Sequence, residues 1–123
     1  MSYNKNIVLE MISSTFWDEI ETFVEENVMD FEGEELMDIF TQPVDYALLD
    51  SIESMRILDF DTDKEEENES ISGTLQVVAL VEGYVHWDGE NVWLEDEEMC
   101  MGIAFSFDVV EGICSNLDLA RED

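Results

Sequence analysis

The sequence contains very few basic residues. Only four of its 123 residues are Lys or Arg, against 33 Asp and Glu, and the formal net charge is −29 at pH 7. A surface with this excess of negative charge repels nucleic acids and anionic lipid surfaces. We therefore exclude direct nucleic-acid binding and membrane binding as functions, and we expect a cationic partner.

Cysteine and histidine are also scarce. The two cysteines, Cys100 and Cys114, are too few for a disulfide scaffold, and we expect both to be reduced. One histidine and two separated cysteines offer no cluster of zinc ligands, so we predict neither a metal site nor a cofactor. The longest apolar run, residues 77–81, is far too short to span a bilayer, and no apolar leader is visible. We expect a soluble, cytoplasmic protein.

Apolar residues, in contrast, are plentiful. The chain is 46% hydrophobic and includes seven Phe and three Trp, which distinguishes it from disordered acidic segments. Its length is typical of one domain with a substantial core. We predict a single acidic domain over residues 1–123, with a helical part at about 7–53 and a sheet part at about 55–120.

Helical periodicity dominates the first third of the chain. Apolar residues recur at intervals of three and four from Phe16 to Phe31, and Thr15 with Asp18 forms a variant of the capping box that begins many helices. The opposite face of this predicted helix carries acids without a single Lys or Arg, namely Asp18, Glu19, Glu21, Glu25, Glu26 and Asp30.

Two shorter helices are predicted nearby. They cover residues 34–40 and 44–52, and Pro43 lies between them, where it fits the first turn of a new helix. Residues 7–12 fit either a helix or a brief strand.

Strand periodicity dominates the remainder. Odd positions are apolar in most of residues 71–87 and again in residues 99–109, and the Asp88-Gly89 turn joins the two segments. With a strand that begins near Met55 and a last hairpin at Glu111-Gly112, these segments predict an α+β fold. We expect two or three N-terminal helices packed on one face of a four-stranded antiparallel β-meander.

Three details of the sheet follow from the same patterns. The acidic run 59–69 is predicted to be a mobile loop, because blocks of like charge resist ordering. Apolar residues lie at even positions in Val92 and Leu94 but at odd positions from Met99, which predicts a bulge or break within residues 95–98. A three-residue loop at 110–112 would pair Val109 with Ile113, Phe105 with Leu117 and Ile103 with Leu119, and would place Cys114 opposite Asp108.

No motif in the chain predicts a reaction. The sequence Asp59-x-Asp61-x-Asp63 begins like a calcium-binding EF-hand loop, but Lys64 and Ser70 stand where that loop needs glycine and glutamate. The single histidine, His86, has no G-x-S-x-G nucleophile motif to serve. We predict that the protein is not an enzyme. Trp87 and Trp93 flank the central turn, either as hairpin stabilisers or as interface anchors.

Charge is therefore the functional signal. Twenty-nine charges correspond to about 49 Å of duplex DNA at one charge per 1.7 Å, whereas a domain of this length is about 35 Å across. Solubility requires a net charge of only about 2 to 8. Carboxylates on one face of a strand or helix lie about 5 to 7 Å apart, close to the spacing of neighbouring phosphates. This profile is similar to that of small DNA-mimic proteins that phages and mobile elements use against restriction or CRISPR nucleases.

We predict an inhibitor that occupies the basic DNA- or RNA-binding channel of a partner nuclease or defence effector, of anti-CRISPR or anti-restriction type. The predicted contact residues are the acids of two clusters and of the central turn: Glu65, Glu66, Glu67, Glu69, Asp88, Glu90, Glu95, Asp96, Glu97 and Glu98. The alternatives are an acidic immunity or antitoxin-type protein that neutralises a toxin nuclease, and a generic acidic module that binds cations or basic tails. Halophilic adaptation is a further explanation of the acidity.

Overall fold

Three helices precede a single four-stranded sheet in the computed structural model, which describes residues 3–122. The elements are α1 (Lys5–Thr15), α2 (Trp17–Met29), α3 (Glu34–Ile39), β1 (Tyr46–Glu65), β2 (Asn68–Trp87), β3 (Glu90–Val110) and β4 (Ile113–Glu122). The strands are hydrogen-bonded in the order β1-β2-β3-β4, so each strand pairs with its neighbours in sequence. The predicted α+β fold, with N-terminal helices and an antiparallel meander, is confirmed.

The first helix resolves the ambiguity of residues 7–12. The Asn4 side chain caps α1 by accepting a hydrogen bond of 2.9 Å from the backbone N–H of Ile7, and Val8 and Ile12 are buried. Thr15 is the last residue of α1, and α2 begins at Trp17. The predicted capping role of Thr15 is therefore wrong, although the predicted helix behind it is confirmed.

The described chain divides into two compact units, and the first is formed within residues 3–20, 55–77 and 101–122. Its core joins α1 and the start of α2 to the odd positions of β2 and β3. The ring centroid of Phe16 lies 5.5 Å from that of Phe107, which lies 6.1 Å from that of Phe105. Around these rings the buried aliphatic side chains are Val8, Ile12, Ile20, Ile57, Ile71, Leu75, Val77, Ile103 and Val109.

The second unit is formed within residues 21–54 and 78–100. Gly83 of β2 leaves space here for the Phe40 ring, because a Cβ at Gly83 would lie 2.9 Å from Phe40 Cε1 and 2.8 Å from Val44 Cγ1. The buried side chains of this unit are Val24, Val28, Phe31, Leu36, Phe40, Ala47, Ala79, Val81 and Met99. Among the described residues of both units, no polar or charged residue is buried.

The predicted helix over residues 44–52 is wrong, because β1 begins at Tyr46. The backbone N–H of Asp45 donates to the Tyr84 carbonyl of β2 at 2.7 Å, and the Asp45 carboxylate accepts from the backbone N–H of His86, also at 2.7 Å. These long-range hydrogen bonds tie the segment to the sheet. A short apolar run fits helix and strand equally well, and here the tertiary contacts decide.

The predicted mobile loop at 59–69 is also wrong. β1 continues to Glu65, a two-residue turn at Glu66-Glu67 follows, and β2 begins at Asn68. An extended strand holds same-side charges about 6.7 Å apart, where their repulsion in water is about 0.6 kcal/mol per pair. This cost is comparable to the net gain from one hydrogen bond, about 0.5–1.5 kcal/mol. Strand pairing therefore outweighs the repulsion.

The predicted break within residues 95–98 is absent, because β3 is continuous from Glu90 to Val110. The exposure pattern nevertheless changes phase, as the sequence indicated. Leu94 and Glu95 are both half-buried, and from Glu95 onward the odd positions are the more buried ones. Glu95 and Glu97 are therefore in phase with the core residues Met99 and Met101 and do not project as a separate acidic loop.

The predicted register of the last hairpin is wrong. Glu111-Gly112 forms a two-residue loop with φ of 52° and 78°, so Val110 pairs with Ile113, Val109 with Cys114 and Phe105 with Leu119. The register shifts between Ser106 and Asp108. Opposite this shift Asn116 has φ of 58° and donates from Nδ2 to Asp108 Oδ2 at 2.9 Å. This irregularity adds the residue that the shorter loop lacks, and Leu117 and Leu119 are again half-buried.

Candidate functional site

A regularly spaced set of acids lies on the second half of β1. Asp59, Asp61, Asp63 and Glu65 occupy alternate positions of the strand, and all four are exposed. Alternate residues of a strand lie on one side at intervals of about 6.7 Å. The four carboxylates therefore form a line about 20 Å long, which we call the acidic row.

The acidic row was missed in the sequence because residues 59–69 were interpreted as one undifferentiated block of charge. The signal that could have identified it is the strict alternation of Asp59, Asp61, Asp63 and Glu65. The extended strand also differs from an EF-hand loop, which turns sharply at its sixth position. Within residues 3–122, no three His, Cys, Asp or Glu side chains converge as a metal site requires.

The turn between β1 and β2 adds further acids beside the row. Glu66 and Glu67 form the turn and are exposed, and Glu66 has φ of 54°. Glu69 is half-buried in β2 and hydrogen-bonds to the side chain of Tyr3. Burial, together with the charge of Glu69, raises the pKa of the Tyr3 hydroxyl. Glu65, Glu66 and Glu67 thus present carboxylates to solvent, whereas Glu69 has an internal partner.

The turn between β2 and β3 presents acids and tryptophans together. Asp88 and Gly89 form a two-residue turn with φ of 52° and 79°, as the Asp-Gly sequence predicted, and Asp88 and Glu90 are exposed. Trp87 and Trp93 flank the turn and are largely exposed. Acidic and aromatic surface therefore coincide at this turn.

In the acidic run of β3, Glu95 is held by the segment before β1. Its Oε1 accepts hydrogen bonds from the backbone N–H groups of Thr41 (2.8 Å) and Gln42 (2.9 Å), and its Oε2 accepts from the Thr41 hydroxyl (2.8 Å). The hydrogen bond from Gln42 is the main cause that lowers the pKa of Glu95. Glu95 therefore serves as an internal anchor for this segment.

The neighbours of Glu95 differ from it in environment. A hydrogen bond with Glu95 is the main cause that raises the pKa of Glu97. Asp96 Oδ1 accepts a hydrogen bond of 2.8 Å from the indole N–H of Trp93. Asp96 and Glu98 are exposed, whereas Glu97 is half-buried. Of the four acids in this run, Asp96 and Glu98 are thus the most accessible.

The predicted contact residues fall into two groups. Glu65, Glu66, Glu67 and Glu69 belong to the first compact unit, whereas the acids of the central turn and of β3 belong to the second: Asp88, Glu90, Glu95, Asp96, Glu97 and Glu98. Each group is continuous along a hairpin. The fold therefore presents two acidic surfaces, one at each of two hairpin turns.

His86 belongs to an aromatic cluster on β1 and β2. The Tyr46 ring stacks on that of Tyr84, with centroids 5.3 Å apart and planes at 9°, and its centroid lies 5.2 Å from that of His86. Burial and the charge of Glu82 raise the pKa of Tyr84, whose hydroxyl lies 3.3 Å from Glu82 Oε1. A shallow cavity of about 390 Å³ beside the cluster is lined by Met29, Tyr46, Ala47, Leu48, His86 and Asn91.

Comparison with known proteins gives no match: no protein-family model fits the chain, and no curated protein or solved structure is detectably similar to it. In the described part of the chain, no helix is long and apolar enough to cross a membrane. The argument for function therefore depends on the geometry and charge of the chain itself.

Proposed function

We propose that this protein occupies the basic DNA- or RNA-binding channel of a partner nuclease or defence effector, of CRISPR or restriction type, in the cytoplasm and blocks entry of the nucleic-acid substrate. The observation that carries the proposal is the acidic row on β1. Its length of about 20 Å corresponds to about six phosphate steps of one DNA strand along the duplex axis. A groove that binds a nucleic-acid backbone offers cations over the same distance.

The hairpin makes the acidic row an effective competitor. Because Asp59, Asp61, Asp63 and Glu65 lie on a paired strand, their backbone is ordered before binding. Binding then costs less conformational entropy than the ordering of a mobile acidic loop would. The net charge of −29 adds long-range attraction, which speeds the encounter with a cationic groove.

The turn acids extend the proposed contact surface. Glu66 and Glu67 follow the row directly, and Asp88, Glu90, Asp96 and Glu98 offer exposed carboxylates in the second unit. Glu95 contributes by holding residues 41–42 in place. In this proposal Glu69 and Glu97 have supporting roles, because each has an internal carboxyl or hydroxyl partner.

The test compares two variants that lose the same four negative charges. The row variant is Asp59→Asn, Asp61→Asn, Asp63→Asn and Glu65→Gln. The helix variant is Glu19→Gln, Glu21→Gln, Glu25→Gln and Glu26→Gln, all at exposed positions of α2. Immobilised wild-type protein and both variants are incubated with extract of the source cells, and the nuclease activity retained is measured with and without excess duplex DNA.

We expect wild-type protein to retain and inhibit a nuclease that duplex DNA displaces, and we expect the row variant to lose at least tenfold in retention. The helix variant should lose much less. Retention should also fall between 50 and 200 mM salt, as screening predicts. Equal losses in the two variants, or retention that DNA does not compete with, would contradict the proposal.

A further inference from the structure

The strongest unexplained feature of the surface is the exposure of aromatic side chains at the β2–β3 turn. Trp87 is 73% exposed and Trp93 is 52% exposed, and Val92 between them is also exposed. Large aromatic side chains are usually well buried, because each buries 150–250 Å² of largely apolar surface. Two such side chains within seven residues of one hairpin indicate a contact surface.

The Trp93 ring has a defined orientation. Its only polar group, the indole N–H, donates to Asp96 Oδ1 at 2.8 Å. The exposed part of Trp93 is therefore the carbon surface of the ring. A ligand that interacts with this surface has to recognise an apolar face with a negative π-cloud.

The surroundings of the two rings are strongly acidic. Residues 87–98 contain six carboxylates and no Lys, Arg or His, and Asp88, Glu90, Asp96 and Glu98 are exposed. An apolar partner would have to remove water from these carboxylates without replacing their hydrogen bonds, which is costly. A cation satisfies the carboxylates and the aromatic faces at the same time.

We propose that Trp87 and Trp93, with Asp88, Glu90 and Asp96 at their edges, form an arginine-binding surface for side chains of a basic protein partner. This inference depends on the proposed function, because the arginines of a nucleic-acid channel are its natural ligands. Arginine suits this surface better than lysine, because its planar guanidinium is weakly hydrated, stacks on aromatic faces and donates in a fork to carboxylates.

The test measures the preference for arginine over lysine at equal charge. Labelled hexa-arginine and hexa-lysine peptides are titrated with the full chain, and their dissociation constants are obtained from fluorescence anisotropy. Two cation–π contacts of moderate strength predict a five- to thirtyfold preference of wild-type protein for hexa-arginine. The variant Trp87→Leu/Trp93→Leu keeps apolar bulk at the hairpin but lacks both aromatic faces, and its preference should fall to about twofold or less.

Met37→Ala is the matched control, because Met37 belongs to the same unit and is 74% exposed. This variant should keep the wild-type preference, and far-UV circular dichroism checks that every variant is folded. An unchanged preference in the double leucine variant, or an equal loss of affinity for both peptides, would overturn the inference.

The two proposals fail separately. If the leucine variant keeps the arginine preference while the row variant still loses DNA-competed retention of a nuclease, the arginine surface is refuted and the proposed function stands. If the arginine preference depends on the tryptophans but no retained nuclease is displaced by DNA, the surface is real and the proposed function is refuted.

Discussion

Glu95 fixes the position of Thr41, because its carboxylate accepts hydrogen bonds from both the backbone N–H and the hydroxyl of that residue, each at 2.8 Å. A further hydrogen bond comes from the N–H of Gln42. This segment connects α3 to β1. An acid of the predicted contact surface is thus also a structural element, and its titration affects the stability of the fold.

The first prediction concerns Glu95→Gln. The amide offers one acceptor oxygen in place of two, so we expect a lower urea midpoint at pH 7 than in the wild-type protein. The pKa of Glu95 is lower in the folded protein than in the unfolded chain, so its stabilisation is present above the unfolded pKa and is lost as pH falls through the folded pKa. The difference between variant and wild type should therefore shrink in urea titrations from pH 7 to pH 3. A difference that is independent of pH would contradict the role of the charged carboxylate.

Glu97→Gln should have the opposite effect at neutral pH. The pKa of Glu97 is raised, mainly by its hydrogen bond with Glu95, so the folded protein binds this proton more tightly than the unfolded chain does. Stability therefore falls as pH rises from the unfolded pKa through the folded pKa. Glutamine donates a hydrogen bond to Glu95 at every pH, and we expect a higher urea midpoint at pH 7. The exposed neighbour provides the control, because Glu98→Gln should change the midpoint little. A lower midpoint in Glu97→Gln would rule out the proposed pair.

Gly73→Ala should destabilise the sheet. A Cβ at Gly73 would overlap the carbonyl oxygen of Asp59 and lie 2.7 Å from Phe60 Cα, both of them backbone atoms of β1 that cannot rotate away. We expect a loss of about 1–3 kcal/mol in the free energy of unfolding. Gly102→Ala is the matched control in β3, because its Cβ would lie 3.6 Å from Glu122 Cβ, and its effect should stay within about 0.5 kcal/mol. Chemical denaturation of both variants measures the difference, and equal effects would contradict the close approach.

Asn116 should tolerate glycine better than alanine. Its φ of 58° lies in the left-handed region, where a residue with a Cβ other than Asn or Asp costs about 1–2 kcal/mol. Both Asn116→Gly and Asn116→Ala lose the hydrogen bond to Asp108, so their comparison isolates the backbone effect. We expect Asn116→Ala to be the less stable of the two by about 1 kcal/mol in thermal or urea unfolding. Equal stabilities would show that Asn116 does not enforce the irregular register of β4.

The elements that could be predicted from sequence are those with sustained periodicity. The recurrence from Phe16 to Phe31 predicted α2, and the alternation in residues 71–87 and 99–109 predicted the two central strands, because each pattern places one face in the core. Residues 44–52 could not be assigned in this way. Their apolar spacing fits a helix as well as a strand, and only the contacts of Asp45 and Tyr46 with β2 decide between them.

The candidate site was predictable in composition but not in arrangement. The sequence identified Glu65, Asp88 and Asp96 as members of acidic clusters, and the structure places all three at exposed positions of hairpins. It could not show that Glu95 is held by Thr41, because that contact joins residues 54 positions apart. The acidic row was hidden for a different reason: like-charge repulsion was weighed against order, whereas strand pairing was not.

The position of β1 in the sheet gives the acidic row a second consequence. β1 is an edge strand, with β2 on one side only. Unpaired strand edges allow molecules to join into larger sheets and aggregate. The carboxylates of Asp59, Asp61, Asp63 and Glu65 would face their own copies in such an assembly, and their repulsion prevents it. The same four residues that are proposed to attract a basic partner therefore keep copies of the protein apart at the concentrations reached during its synthesis.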